Sequence, residues 1–447
     1  MSTACDTSLC LSTEGDSFPD LSHPDGIHAR SANDVGTCIG SYRLIKVLGE
    51  GGCGTVYLAE QNNLVRRRVA LKVMKLGVDA RQVVARFEVE RQALALLDHP
   101  NIAHVYDTGT TEDGRPYFVM EYVAGLFITD YCDRERLTIK DRLNLFTPIC
   151  DAVYYAHQHG IIHRDLKPSN ILVRVRGGEA IPVIIDFGIA KATSQPLTDR
   201  TLITSLGQLV GTPAYMSPEQ AEMTGIGVDV RSDVYSLGVL LYEILTGRLP
   251  LDVANPGKIP LDEMLRMVRE GAAPRPSVCV SRLGEKAERI CRGRRTEPRA
   301  LAKRFKRELE WIPLKAIRKE PDQRYQSAAD LAQDIRNYLN GVPLLAGPQS
   351  LAYRLDKLIK KHLKLVILAE IFAVILITSV SIMFLFVEDY RRRTVQAEAS
   401  LAELKADLKA VKEQKDQLEV AYLKTRAELD RIGGQRFRKA PQDDRRD

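Results

Sequence analysis

The chain has 447 residues, 64 of them Lys or Arg against 58 Asp or Glu, for a formal net charge of +6, and 45% of it is hydrophobic. That length allows two or three structural units with a core of ordinary size, and the basic excess sits around residues 282–307 and beside one apolar run instead of spreading over a face, which argues against a nucleic-acid binder. The eight cysteines, at positions 5, 10, 38, 53, 132, 150, 279 and 291, form no Cys-x-x-Cys pair and no His/Cys cluster of zinc spacing, so they read as reduced, cytosolic thiols.

Residues 1–41 are rich in Ser, Thr, Asp and Gly, contain no apolar core of a signal peptide, and are expected to be disordered. From Tyr42 the pattern alternates through Leu44 and Val47 into Gly49-Glu50-Gly51-Gly52-Cys53-Gly54-Thr55-Val56, which predicts two strands joined by a glycine loop. A glycine loop alone is a weak signal, but a strand follows this one, and Val69-Ala70-Leu71-Lys72 places a lysine eighteen residues after Gly54. Residues 80–97 carry Val83, Val84, Phe87, Leu94 and Leu97 at helical spacing, with Glu90 nine residues before His99-Pro100-Asn101-Ile102 and Glu88 as the second acidic candidate. Residues 116–123, which include Met120, Glu121 and Val123, read as a strand running into a turn at Gly125, and residues 137–160 put Leu143, Phe146, Ile149, Val153 and Ala156 on one helical face.

Next comes Ile161-Ile162-His163-Arg164-Asp165-Leu166-Lys167-Pro168-Ser169-Asn170, and sixteen residues after Asn170 stands Asp186-Phe187-Gly188. Between them, residues 171–173 and 183–185 bracket Gly177-Gly178, which predicts a second hairpin with Asp186 at a strand end. After Gly211-Thr212-Pro213-Ala214-Tyr215-Met216-Ser217-Pro218-Glu219, the stretch from Asp229 and Asp233 through Leu245 to Gly247 reads as a buried helix with acids at its start and a glycine stop. Residues 282–307 hold eleven Lys or Arg against three Glu and are expected to form a solvated helix-and-loop face, with a docking surface for acidic substrates or anionic lipid as the alternative. Trp311-Ile312-Pro313-Leu314 and Arg324-Tyr325-Gln326 then open the last helices of this domain, and residues 341–364 are expected to be a basic linker.

Residues 365–387 are apolar except for Glu370, long enough to span a bilayer. Five basic residues lie within fifteen positions before them and three within fifteen after, so the N-terminal side is expected to be cytoplasmic. Beyond Arg393, Ala397, Leu401, Leu404, Leu408, Val411, Leu418, Tyr422, Leu429 and Ile432 keep a three-four spacing, interrupted in polarity by Lys415 and Thr425, which suggests a coiled-coil tail able to make a homodimer or else a solvated single helix.

Phosphoryl transfer needs a carboxylate to orient the attacking hydroxyl, a cation near the transferred group and oxygen ligands for magnesium, and the stretch 161–188 gathers those groups. It matches H-R-D-L-x-x-x-N followed by D-F-G, and with the glycine loop, Lys72 and Ser217-Pro218-Glu219 in the same order the chain resembles a bacterial, membrane-anchored, eukaryotic-like serine/threonine protein kinase over residues 42–340. The resemblance implies an α+β, bilobal fold, with a β-rich lobe over 42–120 and a helical lobe over 124–340, followed by one transmembrane helix and a helical extracytoplasmic tail. It implies ATP and Mg2+ as cofactors, with Mn2+ able to substitute, and protein substrates. Asp165 and Lys167 would be catalytic; Asn170 and Asp186 would hold the metal; Gly49, Glu50, Gly51, Gly52, Cys53, Gly54, Val56, Ala70, Lys72, Glu90, Met120, Glu121, Val123 and Leu172 would line the ATP site. Glu90 would pair with Lys72, Met120 would be the gatekeeper, Asp233 would brace the catalytic loop, and Arg324 would meet Glu219.

His163 reads as structural support, and Cys53 as a small filler. Arg164 beside the catalytic acid suggests control by phosphorylation of Thr201, Thr204 or Ser205. A scaffold that keeps the fold without catalysis is disfavoured because every catalytic position is intact, and a small-molecule phosphotransferase because the segment ending at Glu219 is complete.

Overall fold

The computed structural model describes residues 34–51, 54–62, 66–75, 97–187, 213–222, 227–251, 259–348 and 350–436. The chain divides into two compact units, Met1–Lys357 and Leu358–Asp447.

The first unit begins with strands β1 (Cys38–Ile39), β2 (Tyr42–Gly51), β3 (Gly54–Gln61), β4 (Arg67–Met74), β5 (Val105–Thr110) and β6 (Pro116–Glu121), which form one antiparallel sheet in the order β1-β2-β3-β4-β6-β5. Alternation decides the two faces. Tyr42, Leu44, Tyr57, Val69, Leu71, Tyr117 and Val119 pack on one side, and Ala70, Met74, Phe118 and Met120 join the larger core on the other. Lys72 pairs across the sheet with Val56 on one neighbour and Phe118 on the other, so a cation is carried by the middle of a rigid sheet.

The helical lobe contains β7 (Leu126–Phe127), α1 (Ile128–Arg134), α2 (Ile139–Gln158), β8 (Ile171–Arg176), β9 (Glu179–Ile184), α3 (Pro218–Ala221), α4 (Val230–Thr246), α5 (Leu261–Glu270), α6 (Pro276–Arg282), α7 (Glu285–Arg292), α8 (Pro298–Arg304), α9 (Trp311–Ala316) and α10 (Ala328–Leu339). Thr138 and Asp141 close a capping box at the start of α2, which then buries Leu143, Phe146, Ile149 and Val153. The α4 helix starts on an Asp229 cap and stops at Gly247, whose φ of 71° a side chain would resist. It is buried on nearly every side, as an all-round apolar helix must be. The turn between β8 and β9 uses Gly177 and Gly178 at φ 60° and 82°, the positive values a two-residue hairpin demands.

Two regions differ from the sequence expectation. Within the basic stretch, Arg294 is only 2% exposed and donates to the carbonyls of Leu245 at 2.6 Å, Ile244 at 2.9 Å and Ile290 at 2.9 Å, so part of that charge closes the C-terminal end of α4 instead of facing water. Burial, and then the neighbouring Arg142, bring its pKa down to about 10. The segment after Leu339, expected to be a linker, is held against the helical lobe: Leu344 is buried, and the amides of Leu345 and Ala346 donate to the carboxylate of Asp334 at 2.6 and 2.8 Å. Lys315 adds a bond to the Leu345 carbonyl at 2.9 Å, and α11 (Leu351–Lys361) follows.

The second unit is dominated by α12 (Leu363–Arg436), 74 residues without a break. Among the described residues it is the one helix long and apolar enough, by length and composition, to cross a membrane.

Candidate active site

The glycine hairpin closes with Gly51 opposite Gly54, and a Cβ on Gly54 would lie 2.2 Å from the Val73 carbonyl oxygen, so the strand contact itself demands glycine. Glu50 is tied to Lys75 at 3.1 Å. Lys72, nearly buried, makes an ion pair with Asp186, which joins the sheet to the strand end of β9. Asp186 has φ 63°, a conformation an L-residue holds only under constraint. The constraint is visible beside it: the Ile185 amide donates to the Asn170 carbonyl at 2.8 Å, and Phe187 is buried against the His163 ring at 4.7 Å. Gly52, Cys53, Glu88, Glu90, Gly188, Thr201, Thr204 and Ser205 lie outside the described residues.

From His163 to Lys167 the chain has neither helix nor strand, with one 3-10 turn following at Pro168–Asn170, so its amides need acceptors that helix or sheet would otherwise supply. Asp233, from the first turn of α4, accepts from the amides of His163 and Arg164 at 2.8 Å each, and meets His157 Nε2 at 2.8 Å. Burial would raise the Asp233 pKa, but the His157 bond and the charges and amide around it outweigh burial and hold it below the usual carboxylate range. Arg164 sits at φ 63° at this bend. His163 is buried and its pKa is lowered by that burial, against the pull of Asp233, Asp165 and Asp186, so the ring is neutral and supports the loop.

This support brings the reactive groups together. Lys167 Nζ lies 2.8 Å from the Asp165 carboxylate. The Asn170 amide nitrogen donates to the Asp165 carbonyl at 2.8 Å and to its carboxylate at 3.2 Å, leaving the Asn170 side-chain oxygen for a cation. A hard divalent ion that dehydrates reluctantly takes one or two protein oxygens and completes its shell with phosphate and water, and Asn170 with Asp186 fits that habit. Among the described residues no group of three or more His, Cys, Asp and Glu offers a competing metal cage.

The apolar residues expected at the nucleotide fall in two clusters. Ala70 faces Met120 across β4 and β6, Val56 packs on the main core, and Leu172 and Ile185 pack against Ala103, Val123 and Val183. The Glu121 carboxylate is engaged by Arg174 and its amide donates to the His104 carbonyl at 2.8 Å, so its side chain serves the fold. Ile185 and Asn101 escaped the sequence reading. Asn101 is nearly buried, donates to the Pro182 carbonyl at 2.7 Å and accepts from the Ile184 amide at 2.8 Å, fastening β9 to the chain before β5. The His99-Pro100-Asn101 turn was the signal that could have found it.

The segment that precedes α3 is coupled to the same loop. Gln220 completes a capping box with Ser217 and donates to the Arg164 carbonyl at 3.0 Å. Glu219 receives a two-pronged contact from Arg324 at 2.7 and 2.8 Å and a bond from Ser232 at 2.6 Å. These bonds overcome burial, the largest single influence, and lower the Glu219 pKa. The Tyr215 hydroxyl donates to Glu243 at 2.6 Å.

With this geometry in view, the chain can be set beside known proteins. The protein kinase domain family matches residues 42–333. The serine/threonine-protein kinase PknB of Mycobacterium tuberculosis is 37% identical over 308 residues, 68% of this chain and 43% of that protein. The serine/threonine-protein kinase PrkC of Bacillus subtilis is 36% identical over 299 residues, 66% of this chain and 40% of that protein. The solved PknI kinase domain of Mycobacterium tuberculosis is 24% identical, with a TM-score of 0.47, covering 68% of this chain and 98% of that one. The chain thus spans less than half the length of the curated relatives it matches.

Proposed function

The chain belongs to the protein kinase family, and from that premise we propose that it transfers the γ-phosphoryl group of ATP to serine or threonine hydroxyls of proteins. The observation that carries this reading is the convergence of Lys72, Asp165, Lys167, Asn170 and Asp186 through the Lys72–Asp186, Lys167–Asp165 and Asn170–Asp165 contacts. Bound ATP with its divalent cation, Mg2+ or in its place Mn2+, supplies the transferable group. Asp165 would accept a hydrogen bond from the substrate hydroxyl and orient it, Lys167 would set a positive charge where negative charge develops, and Asn170 and Asp186 would hold the metal. Lys72, drawn in part from Asp186, would bind the α- and β-phosphates, and the backbone of residues 121–123 would meet the adenine.

The reading extends to the whole chain. Residues 365–387 anchor it in the cell membrane with the catalytic unit on the cytoplasmic side, where ATP is found, and the tail lets copies associate and phosphorylate Thr201, Thr204 or Ser205 in trans. Arg164 would receive that phosphate.

The test is radiolabel transfer from ATP to a generic basic protein. Asp165→Asn should lower transfer by about 10²-fold or more while nucleotide binding persists. Equal transfer by the variant would remove the reading. Phosphopeptides from residues 193–212 after incubation with Mg·ATP test the regulatory part, and protease protection of the two ends tests the anchor.

A further inference from the structure

Beyond residue 396, α12 presents an apolar seam that its own unit leaves open: Leu401, Leu404, Leu408, Val411, Leu418 and Leu429 are 55%, 72%, 73%, 63%, 75% and 64% exposed. Their spacing alternates between three and four residues, the period of a heptad repeat. Leu401, Leu408, Lys415, Tyr422 and Leu429 take the a positions, and Leu404, Val411, Leu418 and Thr425 the d positions. A solvated single helix would be charged all round; here Glu403, Lys409, Glu413, Asp416 and Asp430 lie off the seam.

We infer that this seam pairs with the same segment of a second copy of the chain as a parallel, in-register, two-stranded coiled coil. The inference deepens the proposed self-association and rests on the membrane reading in one respect: two copies anchored in one bilayer leave the same face with their tails pointing the same way. The flanking charges favour that alignment independently. In a parallel pair Asp407 at g faces Lys412 at e of the second copy. An antiparallel pair would set e against e, where Lys405, Lys412 and Arg426 outnumber Glu419, and g against g, where Asp407 and Glu428 are both acidic.

Lys415 at the central a position sets the strand number. In a two-stranded coil its stem packs on the seam while the ammonium reaches water, and a third strand would enclose it. A single polar residue at a fixes register and oligomer state at some expense in stability.

The experiment uses the full-length chain in phospholipid vesicles under mild oxidation with copper phenanthroline. Leu404→Cys, at d, should form a disulfide-linked dimer at least tenfold faster than Ala406→Cys, at f, whose linking should match the native thiols of the unsubstituted chain. Equal rates at 404 and 406, or no linking at 404, would overturn the pairing. Lys415→Leu should sediment in detergent as a species larger than a dimer, and a variant that stays dimeric would remove the role given to Lys415. Alkaline extraction separates the two readings. Protein released from vesicles that still links at 404 keeps the coil and loses the anchor; protein retained that does not link keeps the anchor and loses the coil.

Discussion

Two carboxylates with no exposed surface, Asp233 and Asp334, solve one problem in two places. Asp233 accepts from the consecutive amides of His163 and Arg164, Asp334 from those of Leu345 and Ala346, and each takes a third partner from a side chain, His157 or Tyr325, at 2.8 Å. Each fastens an irregular stretch of chain to a helix by giving its N–H groups an acceptor where water is absent. They differ in what is fastened. Asp233 holds a bend with Arg164 at φ 63°, one residue from Asp165, so its bonds fix the backbone beside the carboxylate proposed to orient the substrate. Asp334 holds a strap with no reactive group, so its bonds contribute stability alone. Their partners differ too: Asp233 meets a ring nitrogen of His157, whereas Asp334 takes the Tyr325 hydroxyl, whose pKa is pushed well up, by burial first and then by Asp334.

The comparison breaks most directly at Asp233. Asp233→Asn keeps the volume but turns one acceptor into a donor that faces an amide, so the loop shifts. A displacement on the order of 1 Å at the reacting atoms lowers kcat by about 10²-fold, with the KM for ATP little changed. Asp334→Asn should leave kcat within about twofold and instead cost ~1–3 kcal/mol of unfolding free energy, as an unsatisfied buried group does. Urea unfolding reads the second effect, and faster amide exchange at residues 344–347 locates it. A kcat loss in Asp334→Asn equal to that in Asp233→Asn would show that the two clamps do not divide the work in this way.

Acid separates the loop from the strap more gently. His163, whose pKa is lowered in the folded chain, is neutral there, while the unfolded chain takes up a proton near pH 6.5. Below that value the unfolded state holds more protons, so stability falls as the pH drops through this window. Asp233, depressed below its ordinary 3.8, contributes stability that is present above that value and lost as the pH falls through its lower folded value. His163→Phe keeps a ring against Phe187 and should flatten the change in urea midpoint between pH 7.5 and 5.5. An unchanged pH dependence would mean that another group titrates there.

Sequence made the loop visible and the strap invisible, for physical reasons. Asp165, Lys167 and Asn170 are close in the chain and form a motif that a kinase resemblance names; they touch one another, and Asp186 follows Ile185, whose amide bonds to Asn170. Asp233 was found because it opens an apolar run at the place where the kinase resemblance puts a bracing acid. Asp334 lies three residues after Leu331 and beside Ile335, on the buried face of α10, but an acid in an amphipathic helix reads as solvated unless its donors are known. Two of those donors, the amides of Leu345 and Ala346, lie in a Gly- and Pro-containing stretch, which composition describes as a linker. Arg294 was lost in the same way, as one charge in a basic run that happens to face the carbonyls of α4.

The weakest link in the strap gives the finest test of whether it acts as a unit. The Leu344 amide donates to the Tyr353 hydroxyl at 3.3 Å, and the Tyr353 ring packs edge-on to Trp311 at 5.9 Å and closes over Gly347, where a Cβ would lie 2.9 Å from it. Tyr353→Phe removes the hydroxyl, with its long bond from the Leu344 amide and its bond to Glu308, and keeps the ring, so it should destabilise by about 0.5–1 kcal/mol. If Asp334 and Tyr353 hold one cooperative segment, the chain freed by Asp334→Asn no longer needs Tyr353, and the double variant should be less destabilised than the sum of the singles by about 0.5 kcal/mol or more. Additivity within measurement would mean that the strap lets go in independent pieces.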